Sequence, residues 1–116
     1  IGEKGLSENM QGISIVDKYL EHSRFLIFCN GGEEQYYITS ADWMTRNLDH
    51  RVEVACPVYD KSIQNELRTL FDIQWRDNVK ARVLDPLQKN NYKNDSSIVK
   101  TRTQVEYYNY LRNLSE

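Results

Sequence analysis

The chain has only two cysteines. It has no zinc-type ligand spacing, no glycine-rich phosphate loop, no serine nucleophile elbow and no long apolar run. Neither the number nor the spacing of Cys29 and Cys56 suggests a disulfide framework or a metal knuckle. Both lie in apolar strand-like contexts, so buried free thiols in a reducing cytoplasm are expected. No apolar run approaches the ~20 residues of a membrane-spanning helix. A net charge of −2 gives no global attraction to nucleic acid or anionic lipid, so any anion must be held by a local cluster of basic groups. With 116 residues, 40% hydrophobic and 28% charged, the composition predicts one globular domain over 1–116 with a single core. The first residue is Ile1 rather than Met. The expectation is therefore a piece of a longer protein, in which a site shared with another domain would be only half present.

What is present is a pair of polar islands in strand-like sequence. The first is Glu21-His22-Ser23-Arg24, followed by Phe25-Leu26-Ile27-Phe28. The second runs from Ser40 to Glu53, preceded by Tyr36-Tyr37-Ile38-Thr39, and Val52 to Val58 encloses Glu53. Strands apolar on both faces are expected in a buried α/β sheet, and polar residues at strand ends are where binding and catalytic groups gather.

Along the chain, residues 1–12 read as a glycine-containing entry loop. Residues 13–21 fit a short helix, with Ile13, Val16 and Leu20 on one face. A strand is expected over 24–29, a hairpin loop at Asn30-Gly31-Gly32-Glu33, a second strand over 35–40 and a third over 50–56 ending at Pro57. Asp60 suits the N-cap of a helix over 61–76 with Ile63, Leu67, Leu70, Phe71 and Trp75 as its apolar stripe. A short strand over 79–84 and a mobile polar loop over 89–97 follow. A last helix begins near Thr103, where Thr103-x-x-Glu106 has capping-box spacing and Val105, Tyr108 and Leu111 form the inner face. The order indicates a mixed α/β layer sandwich.

Residue chemistry alone leaves the site open. His22 closes a helix-like pattern, where an imidazole can serve a purely structural role at terminal carbonyls. His50 reads as an exposed strand-end residue. Glu53 shares a strand face with Arg51 and Ala55, and a carboxylate in so apolar a strand needs a partner. That partner is either Arg24 or Arg46 in a structural ion pair, or His22, whose Nδ1 proton the carboxylate would accept and whose basicity it would raise. Arg24, Arg46 and Arg51 can cradle phosphate oxygens, or form a solvated charge pattern balanced by Glu21, Asp42 and Asp49. Ser40 and Asn47 are neutral donors suited to a phosphate and equally at home in a turn. Lys80 and Arg82 can extend a basic face or be surface charges.

Taken together, these residues resemble the C-terminal domain of polyphosphate kinase, the long-chain bacterial enzyme of the phospholipase-D-like superfamily. The likeness runs through Gly5-Leu6-Ser7-Glu8-Asn9, Ser14 to Arg24, Ser40 to Asp49, Arg51-Val52-Glu53-Val54 and Val79-Lys80-Ala81-Arg82. The superfamily pattern of His-x-Lys, Gly-Ser-x-Asn and Asn-x-Glu would fall on His22-x-Arg24, Thr39-Ser40-Ala41-Asp42 and Arg51-x-Glu53. This chain departs from the pattern in having Arg24 for lysine, Cys29 at an acidic position and Asp42 for asparagine.

The resemblance implies an α/β fold, a phospholipase-D-like mixed sheet flanked by helices. It implies reversible transfer of the γ-phosphoryl of ATP to inorganic polyphosphate through a phosphohistidine supplied by the preceding domain. Catalytic roles would fall to His22 and Glu53, and phosphate or nucleotide contacts to His22, Arg24, Ser40, Arg46, Asn47 and Arg51. Magnesium would have its ligands outside these residues. Implied partners are ATP or ADP, polyphosphate and the preceding phospholipase-D-like domain of the same chain, with no nucleic acid. The full-length enzyme would be a cytoplasmic homo-oligomer with peripheral membrane association, and the isolated fragment would be inactive. The competing expectations are a phospholipase-D-like phosphodiesterase or nuclease half-site acting as a dimer, and a non-catalytic module that docks an anionic chain.

Overall fold

A computed structural model describes residues 1–94 and 96–114. In chain order the elements are β1 (Ile13–Ile15), β2 (Phe25–Phe28), β3 (Gln35–Thr39), α1 (Thr45–His50), β4 (Ala55–Val58), α2 (Lys61–Arg76), β5 (Ala81–Val83) and α3 (Thr103–Leu114). The chain forms two compact units. One is Glu21–Thr69, and the other joins Ile1–Leu20 to the residues from Leu70 onward, so the division falls inside α2.

In the Glu21–Thr69 unit, β2, β3 and β4 form an antiparallel sheet in that order. Phe25 lies opposite Ile38, and Thr39 opposite Ala55. The expected hairpin between β2 and β3 is there. Asn30, Gly31 and Gly32 all take positive φ (43°, 67° and 104°), conformations that glycine adopts freely and asparagine tolerates. Pro57, expected to stop a strand, lies inside β4. It is accommodated because β4 is an edge strand, where a missing N–H has no partner to fail. The third strand starts at Ala55, later than its expected 50–56, and α1 covers only the first residue of that stretch, His50. Tyr36 is the buried apolar residue of this unit among those described, and its hydroxyl donates to Glu34 at 2.6 Å. Glu34 in turn pairs with Arg68 of α2, and Gln64 donates to the Val58 carbonyl at 2.7 Å. The start of α2 is thus seated on the sheet by polar contacts. Asp60 caps this helix as expected, its Oδ1 accepting the amides of Ser62 at 2.8 Å and Ile63 at 3.2 Å.

In the other unit, β1 pairs antiparallel with β5, Ile13 opposite Val83. The helix expected over 13–21 does not form. Ile13-Ser14-Ile15 is a β-branched alternation that finds a strand partner in β5, and the proposed helical face would have been solvent-facing, since Val16 and Leu20 are exposed. Residues 16–20 are tied instead by Asp17 to Arg102 and by a reciprocal pair between the Tyr19 backbone and the Gln104 side chain, at 3.1 and 2.7 Å. The loop expected to be mobile is anchored at 91–93 on the other edge of β5. There the Val83 amide meets the Asn91 carbonyl at 2.9 Å, and the Lys93 amide meets Ala81 at 2.8 Å.

Leu70, Ile73 and Ala81 are the buried apolar residues of this unit among those described. Ile63 and Phe71, assigned to the buried stripe of α2, are exposed, and Phe71 stacks on Trp75 with centroids 6.0 Å apart. Val105, Tyr108 and Leu111, the expected inner face of α3, are exposed as well. α3 begins at Thr103 as expected, but its capping carboxylate is Asp77, whose Oδ2 accepts the Thr103 amide at 2.8 Å. Asp77 is fully buried, and its Oδ1 also accepts the amides of Val79, Lys80 and Ala81. Burial works to raise the Asp77 pKa, yet these backbone donors outweigh it and hold it below the ordinary carboxylate value. Both cysteines, expected to be buried, are free and exposed: Cys29 enters the hairpin turn and Cys56 lies on the edge strand.

Candidate active site

Sheet register brings the two polar islands to one end of the β2–β3–β4 sheet. The ladder continues past the strands, with the Thr39 amide on the Arg24 carbonyl at 2.9 Å and the Ser40 amide on the Val54 carbonyl at 3.0 Å. These bonds place the residues before β2, after β3 and before β4 side by side. α1 closes over them, carrying Arg46 and Asn47.

The centre of the cluster is Glu53. Ser40 Oγ donates to its Oε2, and Asn47 Nδ2 donates to its Oε1 at 2.7 Å. The Ser40 oxygen also accepts the Val54 amide at 3.1 Å. The Ser40 hydroxyl, then the Asn47 amide, lower the Glu53 pKa and keep the carboxylate ionised. Arg51 assists, while partial burial and the charge of Asp42 oppose. This differs from both expected partnerships: among the described residues, neither His22 nor an arginine hydrogen-bonds the Glu53 carboxylate.

Arg24 forms a two-point pair with Asp42, Nε on Oδ1 and Nη2 on Oδ2, the latter at 3.3 Å. Its Nη1 also reaches the His22 carbonyl at 3.4 Å. The Arg24 hydrogen bond lowers the Asp42 pKa, with further help from the charges of His22 and Arg46, and Asp42 raises that of Arg24. The pairing answers the replacements noted in the sequence: a fork-shaped cation faces a carboxylate where lysine and asparagine were expected.

Of the six residues expected to meet phosphate, Arg24, Ser40 and Asn47 are already engaged inside the protein. His22, Arg46 and Arg51 are exposed, and among the described residues none of the three side chains makes a hydrogen bond or ion pair. His50, the last residue of α1, is exposed too. Lys80 and Arg82 belong to the other unit, where Arg82 stacks over Tyr92 with 3.8 Å to the ring centroid. A polar cleft of about 840 Å³, lined by Tyr36, Tyr59, Lys61 and Gln64 among others, opens at the opposite end of the sheet from Glu53. Among the described residues no three His, Cys, Asp or Glu side chains group as a metal site would require. The charge balance read from the sequence set Glu21, Asp42 and Asp49 against Arg24, Arg46 and Arg51 without pairing them; the structure gives Asp42 to Arg24.

Comparison with known proteins puts this geometry in a family. The family described as "Polyphosphate kinase C-terminal domain 2" matches residues 1–104. A polyphosphate kinase of Vibrio parahaemolyticus is 47% identical over 115 residues, covering 99% of this chain and 16% of that protein. A polyphosphate kinase of Escherichia coli K12 is 44% identical over 113 residues, 97% of this chain and 16% of its own length. The crystal structure of polyphosphate kinase from Porphyromonas gingivalis superimposes with a TM-score of 0.87 at 45% identity, covering 92% of this chain and 16% of that one. The likeness bears out the α/β, phospholipase-D-like assignment, with the difference that both sheets are antiparallel. The chain spans about a sixth of the length of the relatives it matches, and over that span it belongs to the polyphosphate kinase C-terminal domain 2 family.

Proposed function

We propose that this chain forms one wall of the active site of a cytoplasmic polyphosphate kinase, which reversibly transfers the γ-phosphoryl group of ATP to inorganic polyphosphate. The observation that carries the reading is the convergence, at one sheet end, of an ionised Glu53, an exposed His22 and the exposed guanidiniums of Arg46 and Arg51. Phosphoryl transfer relies on positioned positive charge around the equatorial oxygens more than on covalent work by the protein. Arg46 and Arg51 supply that charge, and His22 stands beside the phosphates to donate or accept a proton. The transferred group passes through a phosphohistidine of the preceding domain, outside these residues. Magnesium would shield the phosphates with ligands from elsewhere in the full-length enzyme.

The test is made in the full-length enzyme, where this wall meets the rest of its site. His22→Ala is expected to abolish most ATP-dependent polyphosphate synthesis, and Glu53→Gln to lower it by about a hundredfold with little change in thermal stability. Synthesis near the wild-type rate in His22→Ala would overturn the reading. A collapse of the fold in Glu53→Gln without a specific rate defect would reduce Glu53 to a structural residue.

A further inference from the structure

We propose that Ser40 and Asn47 are positioning residues: they clamp the Glu53 carboxylate from two sides and do not contact phosphate. The inference rests on the functional reading above and changes the roles within it, leaving phosphate to His22, Arg46 and Arg51.

The geometry makes the case. A carboxylate held at one oxygen can still swing about its last bond. Held at both oxygens by donors from different elements, its plane is fixed. Ser40 follows β3 and takes Oε2, while Asn47 stands on α1 and takes Oε1 at 2.7 Å. Ser40 has a single proton to give. Its oxygen already accepts the Val54 amide, which leaves that proton aimed at Glu53.

Asn47 is still less suited to a diffusing anion, because the residue is only 4% exposed. Its Oδ1 is buried and, among the described residues, has no hydrogen-bond partner. An unsatisfied buried acceptor is costly, so the amide's orientation needs a reason. Glu53 supplies one. Exchanging the oxygen and nitrogen would set Asn47 Oδ1 against Glu53 Oε1, acceptor against acceptor. The clamp therefore matters most when Glu53 is ionised. The other charges around this carboxylate are Arg51, which favours ionisation, Asp42, which opposes it, and Arg24, which is committed to Asp42.

The clamp is tested in the full-length enzyme with Ser40→Ala, Ser40→Thr and Asn47→Asp, reading kcat, KM for ATP and the pH profile of kcat. Ser40→Ala is expected to lower kcat by about tenfold or more, the loss of one hydrogen bond to a charged group, with KM for ATP nearly unchanged. Ser40→Thr, which keeps the hydroxyl, should restore most of the rate. Asn47→Asp puts a second carboxylate against Glu53, and the acid limb of the kcat profile should move upward by about one pH unit or more.

The proposal fails if Ser40→Ala raises KM for ATP at constant kcat, which is the behaviour of a phosphate ligand. It fails equally if Ser40→Thr is as damaged as Ser40→Ala, or if Asn47→Asp folds and keeps the wild-type profile. Should Asn47→Asp not fold, the Ser40 pair still decides. Loss of activity in His22→Ala together with full activity in Ser40→Ala would sink the clamp alone. Full activity in His22→Ala would sink the functional reading with it.

Discussion

Arg102 closes on Asp17 with two nitrogens, Nε at 2.8 Å from Oδ2 and Nη2 at 2.6 Å from Oδ1, across 85 residues of sequence. The Asp17 side chain is 2% exposed and that of Arg102 is 39% exposed, so the carboxylate depends on this one guanidinium for most of its compensation. The Arg102 hydrogen bond is also the main reason the Asp17 pKa lies below its ordinary value. Arg102→Ala should therefore lower the thermal transition further than Asp17→Asn, because it strands a buried charge while Asp17→Asn removes it. Arg102→Lys should fall between wild type and Arg102→Ala, since a point charge cannot reproduce the fork. Thermal unfolding followed by circular dichroism gives the order; equal transitions in all variants would show the pair to be incidental.

Asp77 links stability to pH. Its folded pKa lies below the unfolded value of about 3.9, so the unfolded chain binds more protons in that interval. Its contribution is complete above about pH 5 and is lost as pH falls through the folded pKa. Asp77→Asn, which puts an amide nitrogen where a carboxylate oxygen accepts backbone amides, should cost ~2 kcal/mol or more at pH 7. The gap to wild type should narrow in acid. Urea unfolding at pH 7 and pH 3 measures it, and a gap of the same size at both would reject the linkage. Asp17, Asp42 and Asp60 are lowered in the same direction, so the wild-type protein should also weaken in acid.

Arg46 and Arg51 should behave as anion contacts in the full-length enzyme. Arg46→Ala and Arg51→Ala are each expected to raise KM for ATP by about tenfold, the lower range for a hydrogen bond to a charged group, while thermal stability barely changes. The wild-type KM should rise with salt more steeply than that of either variant, since screening weakens a contact the variants no longer have. An unchanged KM in both would place the phosphates elsewhere on this surface.

Local chemistry made some of the fold readable in advance. Asn30-Gly31-Gly32 announces its turn because the residues that tolerate positive φ are few, and Asp60 announces a helix start because its side chain caps its own next residues. What could not be read depends on distant partners. Ile13-Ser14-Ile15 becomes a strand through β5, and Asp77 matters through amides on both sides of the 89–97 loop. α1 went unread because Thr45–His50 is part of the polar second island, with Leu48 as its one apolar residue, and Leu48 is exposed. The candidate site divides in the same way. The residue types that gather at the sheet end follow from their positions in the strands. Which donor serves which acceptor depends on tertiary geometry, and there Asp42 took Arg24 while Ser40 and Asn47 took Glu53.

The pairing of β1 with β5 has a kinetic implication. The Glu21–Thr69 unit is an unbroken segment, whereas the unit holding β1 is assembled from two segments that flank it. On a ribosome, every strand of the β2–β3–β4 sheet has been made before Ala81 exists, so Ile13–Ile15 must wait through the synthesis of the whole intervening segment. Closure of that long loop carries the larger entropic penalty and sets a high local contact order. Vectorial synthesis therefore favours the Glu53 clamp being in place before the Asp17 and Asp77 contacts seal the rest of the chain.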